Sequence, residues 1–280
     1  MIKSITSAQN QWVKDVLELQ EKGKNRRTAG QFTVEGINEI RLAMKSGLIV
    51  KQLAINPDKM SWKELNALLN LGKDIEVSWM IEVLGSAWSK VVVRESGQNA
   101  LAIFEMPSKP LEWKPKPGGL YLLVESVEKP GNLGALLRSA DATAADGVVI
   151  CDERIDAYHP QVIRNSVGTV FTVPLFLMSV QKAWDIIQSN DVRLYTTFLE
   201  NSKSVWDMDL TQTTAMLVGT ESEGVSDFWR DKGVNINIPM FGMVDSLNVS
   251  VAASLMLYEA KRQRAKKQSF DEANWNTGGG

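Results

Sequence analysis

The sequence has very little of the side chains that build disulfides, metal cages and histidine-based catalysis. Its 280 residues include one cysteine, Cys151, and one histidine, His159. A single cysteine excludes a disulfide within the chain and, beside a single histidine, makes a metal cage implausible, so we expect no metal site. Cys151 ends an apolar run, 147–151, which indicates a buried small side chain and not a nucleophile. His159 cannot supply a catalytic pair, and we interpret it as a surface or capping residue.

Long apolar runs are absent as well. No stretch approaches the roughly 18 to 20 consecutive apolar residues that a helix needs to cross a bilayer. The first residues, Met1 to Ser7, lack the apolar core and small-residue cleavage site of a signal peptide. Hydrophobic residues nevertheless make up 44% of the chain, which is enough for a sizeable core. We therefore expect a cytoplasmic globular protein that does not associate with a membrane.

An excess of positive charge is the third absence. The 31 lysines and arginines are outnumbered by 33 aspartates and glutamates, which excludes the positive field of a non-specific nucleic-acid binder. Contact with a nucleic acid would need local basic clusters. The chain has two, formed by Lys22, Lys24, Arg26 and Arg27 and by Lys261, Arg262, Arg264, Lys266 and Lys267. Either cluster could equally be a solvated helix end.

Hydrophobic periodicity predicts a small α/β unit in the first hundred residues. Apolar residues recur at helical spacing around Trp12, which we place in the core and not at a base-stacking surface. The predicted helices cover residues 9–19, 37–46 and 63–71, and the predicted strands cover 32–36, 50–55 and 75–79. The proline-rich stretch from Pro107 to Pro117, followed by two glycines, is typical of a linker. We therefore predict a first domain over 1–106, a linker over 107–119, a second domain over 120–267 and a flexible tail over 268–280.

Short apolar runs separated by helical segments fill the second half. They cover residues 120–124, 147–150, 170–173, 194–198, 215–218 and 234–238. Strands that are apolar on both faces are typical of a parallel sheet covered by helices, so the predicted fold class is α/β with a doubly wound sheet. A last helix is predicted over 246–266. Its predicted inner side comprises Val249, Val251, Ala252, Leu255, Met256 and Tyr258.

The first segment that could carry chemistry follows the strand at 120–124. Asn132 is a good helix N-cap, Gly131 and Gly134 allow close approach of the backbone, and Arg138 follows about one and a half turns later. The glycine spacing is not that of the Rossmann fingerprint. Taken alone, the segment is compatible with anion binding or with a plain turn between a strand and a helix.

Two further segments join strands to polar loops. The segment 215–226 has a carboxylate, Glu221, in a loop bounded by Gly219 and Gly224. The segment 236–250 is a strand, a glycine-containing loop and a polar helix start, for which Ser246 is an adequate N-cap. Each has a purely structural interpretation as a turn or a cap when it is considered alone.

The three segments together are far more specific than any one of them. The patterns N-x-G-x-x-x-R-S-A, L-V-G-x-E-x-x-G and I-P-M-x-G-x-x-x-S-L-N-V-S-V-A, in this order, resemble the three motifs of the SpoU (TrmH) family of RNA methyltransferases. Upstream, Arg26–Arg27, the stretch 32–36 and the stretch 96–104 are similar to the substrate-binding domain that many members carry. The resemblance covers residues from about 5 to 265.

The resemblance implies a fold and an activity. The second domain would be of the SPOUT type, with a deep trefoil knot near its C-terminal end, which spacing alone would not have suggested. The first domain would resemble a ribosomal RNA-binding protein and hold the RNA. The activity would be transfer of a methyl group from S-adenosylmethionine to a ribose 2′-hydroxyl in structured RNA, by a homodimer whose active site is completed across the subunit interface.

The resemblance also assigns roles to residues by their position in the motifs. The catalytic residues would be Asn132, Arg138, Glu221, Ser246 and Asn248. The adenosine part of S-adenosylmethionine would be bound by Gly219, Ile238, Met240 and Leu247, and RNA would be bound by Lys24, Arg26, Arg27 and Arg164. Arginine has a pKa above about 12, so our hypothesis is that Arg138 stabilises the developing alkoxide while an RNA phosphate or a transiently deprotonated guanidinium takes the proton. Glu221 would orient Arg138 or Asn132.

The substrate is left open between alternatives. Ribosomal RNA is favoured over transfer RNA, because the simplest tRNA-modifying members have little ahead of the knotted domain. An RNA-binding ribosome assembly factor that kept the fold and lost the reaction is a rival of another class. A small-molecule methyltransferase would not need the first domain.

Overall fold

The computed structural model describes residues 2–71, 79–92, 99–220 and 224–267. Contacts between Cα atoms divide the chain into two compact units. The first unit comprises Met1–Pro110, Lys129–Arg138 and Ile155–Val173, and the second comprises Leu111–Glu128, Ser139–Arg154 and Pro174–Gly280.

The first unit is built on a mixed sheet. Its elements are β1 (Lys3–Ile5), α1 (Gln11–Glu21), α2 (Gly23–Ala29), β2 (Gln31–Glu35), α3 (Ile37–Lys45), β3 (Val50–Ile55), α4 (Trp62–Leu69), β4 (Met80–Val83), α5 (Gly85–Val91), β5 (Ala100–Glu105) and α7 (Pro160–Asn165). Within the described ranges the strand order is β1-β4-β3-β5-β2, and β5 runs antiparallel to both of its neighbours.

Local sequence explains why α1 forms and which face it buries. The side chain of Asn10 accepts a hydrogen bond from the Trp12 backbone N–H at 3.0 Å, which caps the helix start. Trp12, Val13, Val16 and Leu19 are buried at the spacing of one helix face. Trp12 is 6% exposed and its ring N–H donates to Gln52 at 2.7 Å, so its predicted place in the core is confirmed.

The second unit contains a parallel sheet. Its strands are β6 (Leu120–Glu125), β7 (Gly147–Cys151), β8 (Leu175–Met178), β9 (Arg193–Thr196), β10 (Lys203–Ser204), β11 (Thr214–Val218) and β12 (Val234–Asn237). In the part of the chain that the structure describes, their order is β10-β12-β9-β11-β6-β7-β8 and every pair is parallel. Every residue of β6, β7 and β11 is buried, because such a sheet is covered on both faces. The predicted fold class is confirmed, while the knot stays a prediction.

Helices α8 (Val180–Ser189) and α9 (Val249–Lys267) belong to the second unit, and α6 (Pro130–Ala142) is divided between the units after Arg138. The prediction of a strand at 170–173 was wrong. Residues 169–171 form a short 3-10 helix after Gly168, whose φ is +83°, and the strand begins at Leu175. The strand predicted at 75–79 falls almost entirely outside the described residues.

Two predicted helix starts were also displaced. Helix α6 begins at Pro130, because proline at the first helical position has the required φ and no N–H to leave unpaired. Asn132 therefore lies in the first turn and is not the N-cap. Helix α9 is capped by Asn248, whose side-chain oxygen accepts from the Ser250 N–H at 2.9 Å, and not by Ser246. None of the described helices is long and apolar enough to cross a membrane.

Candidate active site

An open cleft lies in the second unit at the carboxyl ends of β9, β11 and β12. Its volume is about 980 Å³. Loops at this edge of an open parallel sheet are the usual ligand-binding position in α/β folds. The predicted residues that line the cleft are Gly219, Ile238, Met240, Ser246, Leu247 and Asn248. The fold thus brings together residues from two motifs that are separated by up to 29 positions in the sequence.

At Gly219 the backbone passes very close to the backbone of Gly224, at the edge of this cleft. A Cβ atom at Gly219 would lie 1.9 Å from the carbonyl oxygen of Gly224 and 2.2 Å from its carbonyl carbon. Two backbone hydrogen bonds hold the two segments together. The Thr220 N–H donates to the Gly224 carbonyl at 2.9 Å, and the Gly224 N–H donates to the Thr220 carbonyl at 3.1 Å. Only glycine fits at position 219 because the obstruction is backbone that cannot move aside. Glu221 lies between Thr220 and Gly224 in the sequence and is outside the described residues.

The start of α9 is organised by Asn248. Its Oδ1 accepts from both the backbone N–H and the hydroxyl of Ser250, at 2.9 and 2.6 Å, and its carbonyl accepts from the Ala252 N–H. The dipole of α9 adds partial positive charge at this end of the helix. One residue that was predicted for catalysis therefore also determines where the helix at the cleft begins.

The charged residues that line the cleft are mainly acidic. Among its described lining residues, the carboxylates are those of Glu200, Asp227 and Asp245, and the one cation is Arg230. Arg230 donates to both Glu200 and Asp227 at 2.8 Å and lies over the ring of Phe198. These two carboxylates raise the pKa of Arg230. The excess of carboxylates suits a ligand with positive charge.

The first motif contains Asn132 and Arg138, and both residues belong to the first unit. Asn132 is half-buried in the first turn of α6 and Arg138 is exposed. Gly134 permits α6 and α7 to pack closely, because a Cβ there would lie 2.5 Å from the Cβ of Asn165. At Gly131 the nearest such atom is 3.8 Å away, so the predicted close approach occurs at Gly134 only.

The basic residues near the start of the chain have different environments. Lys24 and Arg27 are exposed, but Arg26 is 1% exposed. Its Nε donates to Asp156 at 2.7 Å and its Nη1 donates to the Leu19 carbonyl at 2.7 Å. Arg26 is thus occupied in the core of the first unit and is not available to RNA, which corrects the role predicted for it.

Arg164 is half-buried and lies near Glu39 in the same unit. Burial raises the pKa of Glu39, and the positive charge of Arg164 opposes that rise. The Arg164 guanidinium is therefore partly accessible to solvent and also interacts electrostatically with the buried Glu39 side chain.

The second basic cluster, on α9, is partly structural. Arg264 donates to the carbonyls of Gly118 and Gln212 at 2.6 Å and to that of Leu210 at 2.9 Å. Burial lowers its pKa. Arg262 is exposed and forms a bidentate pair with Glu259 at 2.7 Å. The helix end is therefore both an anchor for neighbouring loops and a charged surface.

The isolated cysteine and histidine are structural, as predicted. Cys151 is fully buried, and burial together with the charge of Glu125 raises the pKa of its thiol. His159 caps α7, because its Nδ1 accepts from the Gln161 N–H at 3.1 Å. Among the described residues, no group of three or more histidine, cysteine, aspartate or glutamate side chains could hold a metal ion.

Sequence reasoning missed one group beside this site. Glu125 is the last residue of β6, is 4% exposed, and accepts hydrogen bonds from the backbone N–H and hydroxyl of Ser226. The available signal was an acidic residue that ends an otherwise apolar strand. It was overlooked because nothing in the sequence identifies its partner 101 residues later.

Comparison with known proteins identifies the class to which this fold and cleft belong. Residues 119–258 match the family model of the SpoU rRNA Methylase family, and residues 10–102 match that of the MRM3-like substrate binding domain. The chain belongs to the SpoU rRNA Methylase family. This confirms the resemblance predicted from the three motifs.

Several relatives match along most of the chain. It is similar to the 23S rRNA (guanosine(2553)-2′-O)-methyltransferase RlmP of Bacillus subtilis, with 31% identity over 93% of this chain and 100% of the relative. It is also similar to the 23S rRNA (uridine(2479)-2′-O)-methyltransferase of Streptomyces viridochromogenes, with 32% identity over 86% of each chain. The crystal structure of the SpoU methyltransferase AviRb from that organism, in complex with AdoMet, superimposes with a TM-score of 0.79 at 29% identity. It covers 92% of this chain and 100% of that one.

Proposed function

We propose that this protein transfers the methyl group of S-adenosylmethionine to a ribose 2′-hydroxyl of ribosomal RNA, in the cytoplasm. The observation that carries the proposal is similarity over nearly the whole chain to RNA 2′-O-methyltransferases that act on 23S rRNA. The enzyme class and the methyl donor agree with those predicted from the motifs. Ribosomal RNA is favoured over transfer RNA because both of these relatives act on ribosomal RNA.

The cleft fits S-adenosylmethionine. A volume of about 980 Å³ is at the upper end of the range for small-molecule sites. The excess of carboxylates suits a cofactor with net positive charge, and Gly219 keeps a side chain out of the closest backbone approach. Gly219, Ile238, Met240 and Leu247 would bind the adenosine part, largely through backbone groups. When bound, S-adenosylmethionine supplies a methyl group that its sulfonium has already activated.

The remaining work falls to residues that align the ribose and stabilise charge. Arg138 is exposed, and its positively charged guanidinium would stabilise the alkoxide that develops on the 2′-oxygen. An RNA phosphate or a transiently deprotonated guanidinium would accept the proton. Asn132, Ser246 and Asn248 would complete the catalytic centre, and Glu221 would orient Arg138 or Asn132 through charge-assisted hydrogen bonds.

RNA binding would fall to the first domain, residues 1–106. The match of residues 10–102 to a substrate-binding domain supports this assignment. Lys24 and Arg27 are exposed and Arg164 is half-buried, so these three cations can offer phosphate contacts. Affinity for RNA should therefore fall steeply as salt rises, and a flat profile would contradict this assignment.

A homodimer is part of the proposal, and the surface of α9 supports it. Val251, Leu255 and Tyr258 were predicted on the inner side of the helix but are 46%, 48% and 54% exposed. The buried side is formed by Ala253, Met256, Leu257 and Ala260. Helix α9 thus has two apolar faces. The residues of the outer face, Val251, Leu255 and Tyr258, are spaced four and three positions apart, as in a helix–helix contact.

The dimer can be tested by replacing a residue on the outer face. Leu255→Glu should shift the protein to monomers in sedimentation velocity and lower methyl transfer, because the active site would be completed across the interface. Lys182→Glu, at an exposed position of α8, is a control that should leave the sedimentation coefficient unchanged. If Leu255→Glu sediments as the wild type does, the outer face of α9 is not part of a dimer interface.

The proposed reaction is tested by methyl transfer from labelled S-adenosylmethionine to separated ribosomal and transfer RNA, followed by nucleoside mass spectrometry. A labelled 2′-O-methylnucleoside in ribosomal RNA is the expected result. Label in transfer RNA alone would reassign the substrate. Binding of S-adenosylmethionine without transfer to either RNA would favour the rival function of a non-catalytic ribosome assembly factor.

Two variants test the assigned roles. Arg138→Ala should lower kcat by about 10² to 10³, the usual loss when one stabilising donor is removed, with RNA binding retained. A wild-type rate in that variant would refute the role of Arg138. Glu221→Gln should lower activity but keep binding of S-adenosylmethionine, and the reverse result would refute its orienting role.

A further inference from the structure

A buried carboxylate holds the end of the glycine-bounded loop at the cleft. The described parts of this loop, residues 219–220 and 224–226, follow β11, and Glu125 ends the adjacent parallel strand β6. The Ser226 backbone N–H donates to Glu125 Oε2 at 2.8 Å, and the Ser226 hydroxyl donates to Oε1 at 2.6 Å. Both carboxylate oxygens are therefore engaged by one residue.

The position of Glu125 makes this contact more than a surface hydrogen bond. Glu125 is 4% exposed, and in the register of β6 and β11, Val124 is opposite Val218, so Glu125 is level with the start of the loop. Both of its oxygens accept a hydrogen bond from Ser226, at 2.8 and 2.6 Å, and hydrogen bonds to a carboxylate are about twice as strong as those between neutral groups. Its charge also contributes to the raised pKa of the Cys151 thiol, which is consistent with a carboxylate in a water-poor environment.

The described part of the loop that Glu125 holds contributes four residues to the cleft lining. Gly219, Thr220, Gly224 and Val225 all line the cleft, as does Asp227 just beyond the loop. Paired backbone hydrogen bonds between Thr220 and Gly224 join the two sides of the loop to each other, and Glu125 fixes its C-terminal side at Ser226. Without the hydrogen bonds from Ser226 to Glu125, these lining residues could move away from the positions that bind a ligand while the sheet stays folded.

We infer that Glu125 is a positioning residue for cofactor binding: by clamping Ser226 it holds the adjoining cleft residues Gly224 and Val225 where S-adenosylmethionine would bind. The inference rests on the proposed function. A protein that reaches its binding conformation only part of the time binds more weakly in proportion to that fraction. Removing the clamp should therefore raise the Kd and KM for S-adenosylmethionine and leave the KM for RNA unchanged.

The test measures S-adenosylmethionine binding by calorimetry without RNA, beside steady-state kinetics and thermal unfolding. Glu125→Ala should raise the Kd about tenfold, since two charge-assisted hydrogen bonds are lost. Glu125→Gln should recover most of the affinity, because its amide can accept from the Ser226 N–H and donate to the hydroxyl. Ser226→Ala should give an intermediate loss that Ser226→Thr restores, and Glu125→Ala with Ser226→Ala should be no worse than Glu125→Ala alone.

A matched control separates positioning from general stability. Glu39→Ala removes another buried carboxylate, in the first unit, and should leave the Kd for S-adenosylmethionine within twofold of wild type. If Glu125→Ala does not fold, the Ser226 pair decides the question. An unchanged Kd in folded Glu125→Ala or Ser226→Ala would overturn the positioning role. No binding by the wild-type protein would instead overturn the proposed function.

Discussion

The Nε of Arg26 donates to Oδ2 of Asp156 at 2.7 Å, and the two side chains are 1% and 11% exposed. The pair joins α2 to the segment that precedes α7 within the first unit. Arg26 also donates to the carbonyls of Leu19 and Gln20 at the end of α1. Asp156 also accepts from the Tyr158 N–H, so both members of the pair have further hydrogen bonds that offset the cost of desolvation.

Replacing Arg26 should therefore affect stability more than RNA affinity. Arg26→Ala leaves the Asp156 carboxylate buried without its cation and should lower the free energy of unfolding by about 3 to 5 kcal/mol. Urea unfolding measures this loss. Arg27→Ala, one position later and exposed, should keep the wild-type midpoint and instead weaken RNA binding and reduce its salt dependence. The opposite assignment of effects would contradict the structure of the cluster.

Gly219 should be irreplaceable for binding in the cleft. Gly219→Ala places a Cβ 1.9 Å from a backbone oxygen, so the loop must open and lose its two hydrogen bonds. We expect loss of S-adenosylmethionine binding by calorimetry in a protein that remains folded. At Gly242, no atom lies within 4 Å of the added Cβ. Gly242→Ala should thus bind within twofold of wild type, and equal losses in both variants would argue against a steric cause.

Arg264 should anchor the loops beside α9. Arg264→Ala removes hydrogen bonds to the carbonyls of Gly118, Leu210 and Gln212 and should lower the free energy of unfolding by about 2 kcal/mol. Arg262→Ala removes a pair with Glu259 in which the arginine side chain is 52% exposed and the glutamate side chain 10%, and should shift the unfolding midpoint less than Arg264→Ala does. Chemical denaturation of the two variants side by side measures the contrast. Equal midpoints would show that the carbonyl contacts of Arg264 contribute no stability.

His159 should make stability depend on pH below neutrality. Burial and, to a smaller extent, the charge of Arg26 lower its pKa, while Asp156 opposes them. The neutral ring also accepts the capping hydrogen bond from Gln161. Because the unfolded state binds the proton more readily, this contribution is present above the unfolded pKa of about 6.5 and is lost as pH falls through the folded pKa.

The measurement is the free energy of unfolding at pH 7.5 and pH 5.5. Wild type should lose stability over this interval, and His159→Asn should lose less, because asparagine caps a helix without titrating there. An identical pH dependence in both proteins would show that other groups are responsible.

Part of the candidate site followed from local sequence. The resemblance of the motifs to the SpoU family assigned Gly219, Ile238, Met240 and Leu247 to one site, and these residues do line one cleft. They meet because, in a parallel sheet, the loops that follow the strands emerge at the same edge. The burial of Cys151 and Trp12 was likewise evident from the apolar residues around them.

Other features depended on partners that are distant in the chain. Arg26 and Arg27 are indistinguishable in the sequence, and only the position of Asp156 buries one of them. Met256 faces inward as predicted, beside Ala253, Leu257 and Ala260, but Val251, Leu255 and Tyr258, which were predicted on the same side, are exposed. Helical periodicity shows that two apolar faces exist but cannot tell which one the sheet covers.

The sequence by itself determined the α/β class and most strand positions, because these depend on local periodicity. Its three motifs determined the family, and the resemblance to that family assigned several residues of the cleft. Only the tertiary structure decided that Glu125 clamps Ser226, that Asn248 and not Ser246 caps α9, and that Arg26 is internal. The physical reason is that hydrogen bonding and burial depend on distances in space, and residues 101 or 130 positions apart leave no local signal of their contact.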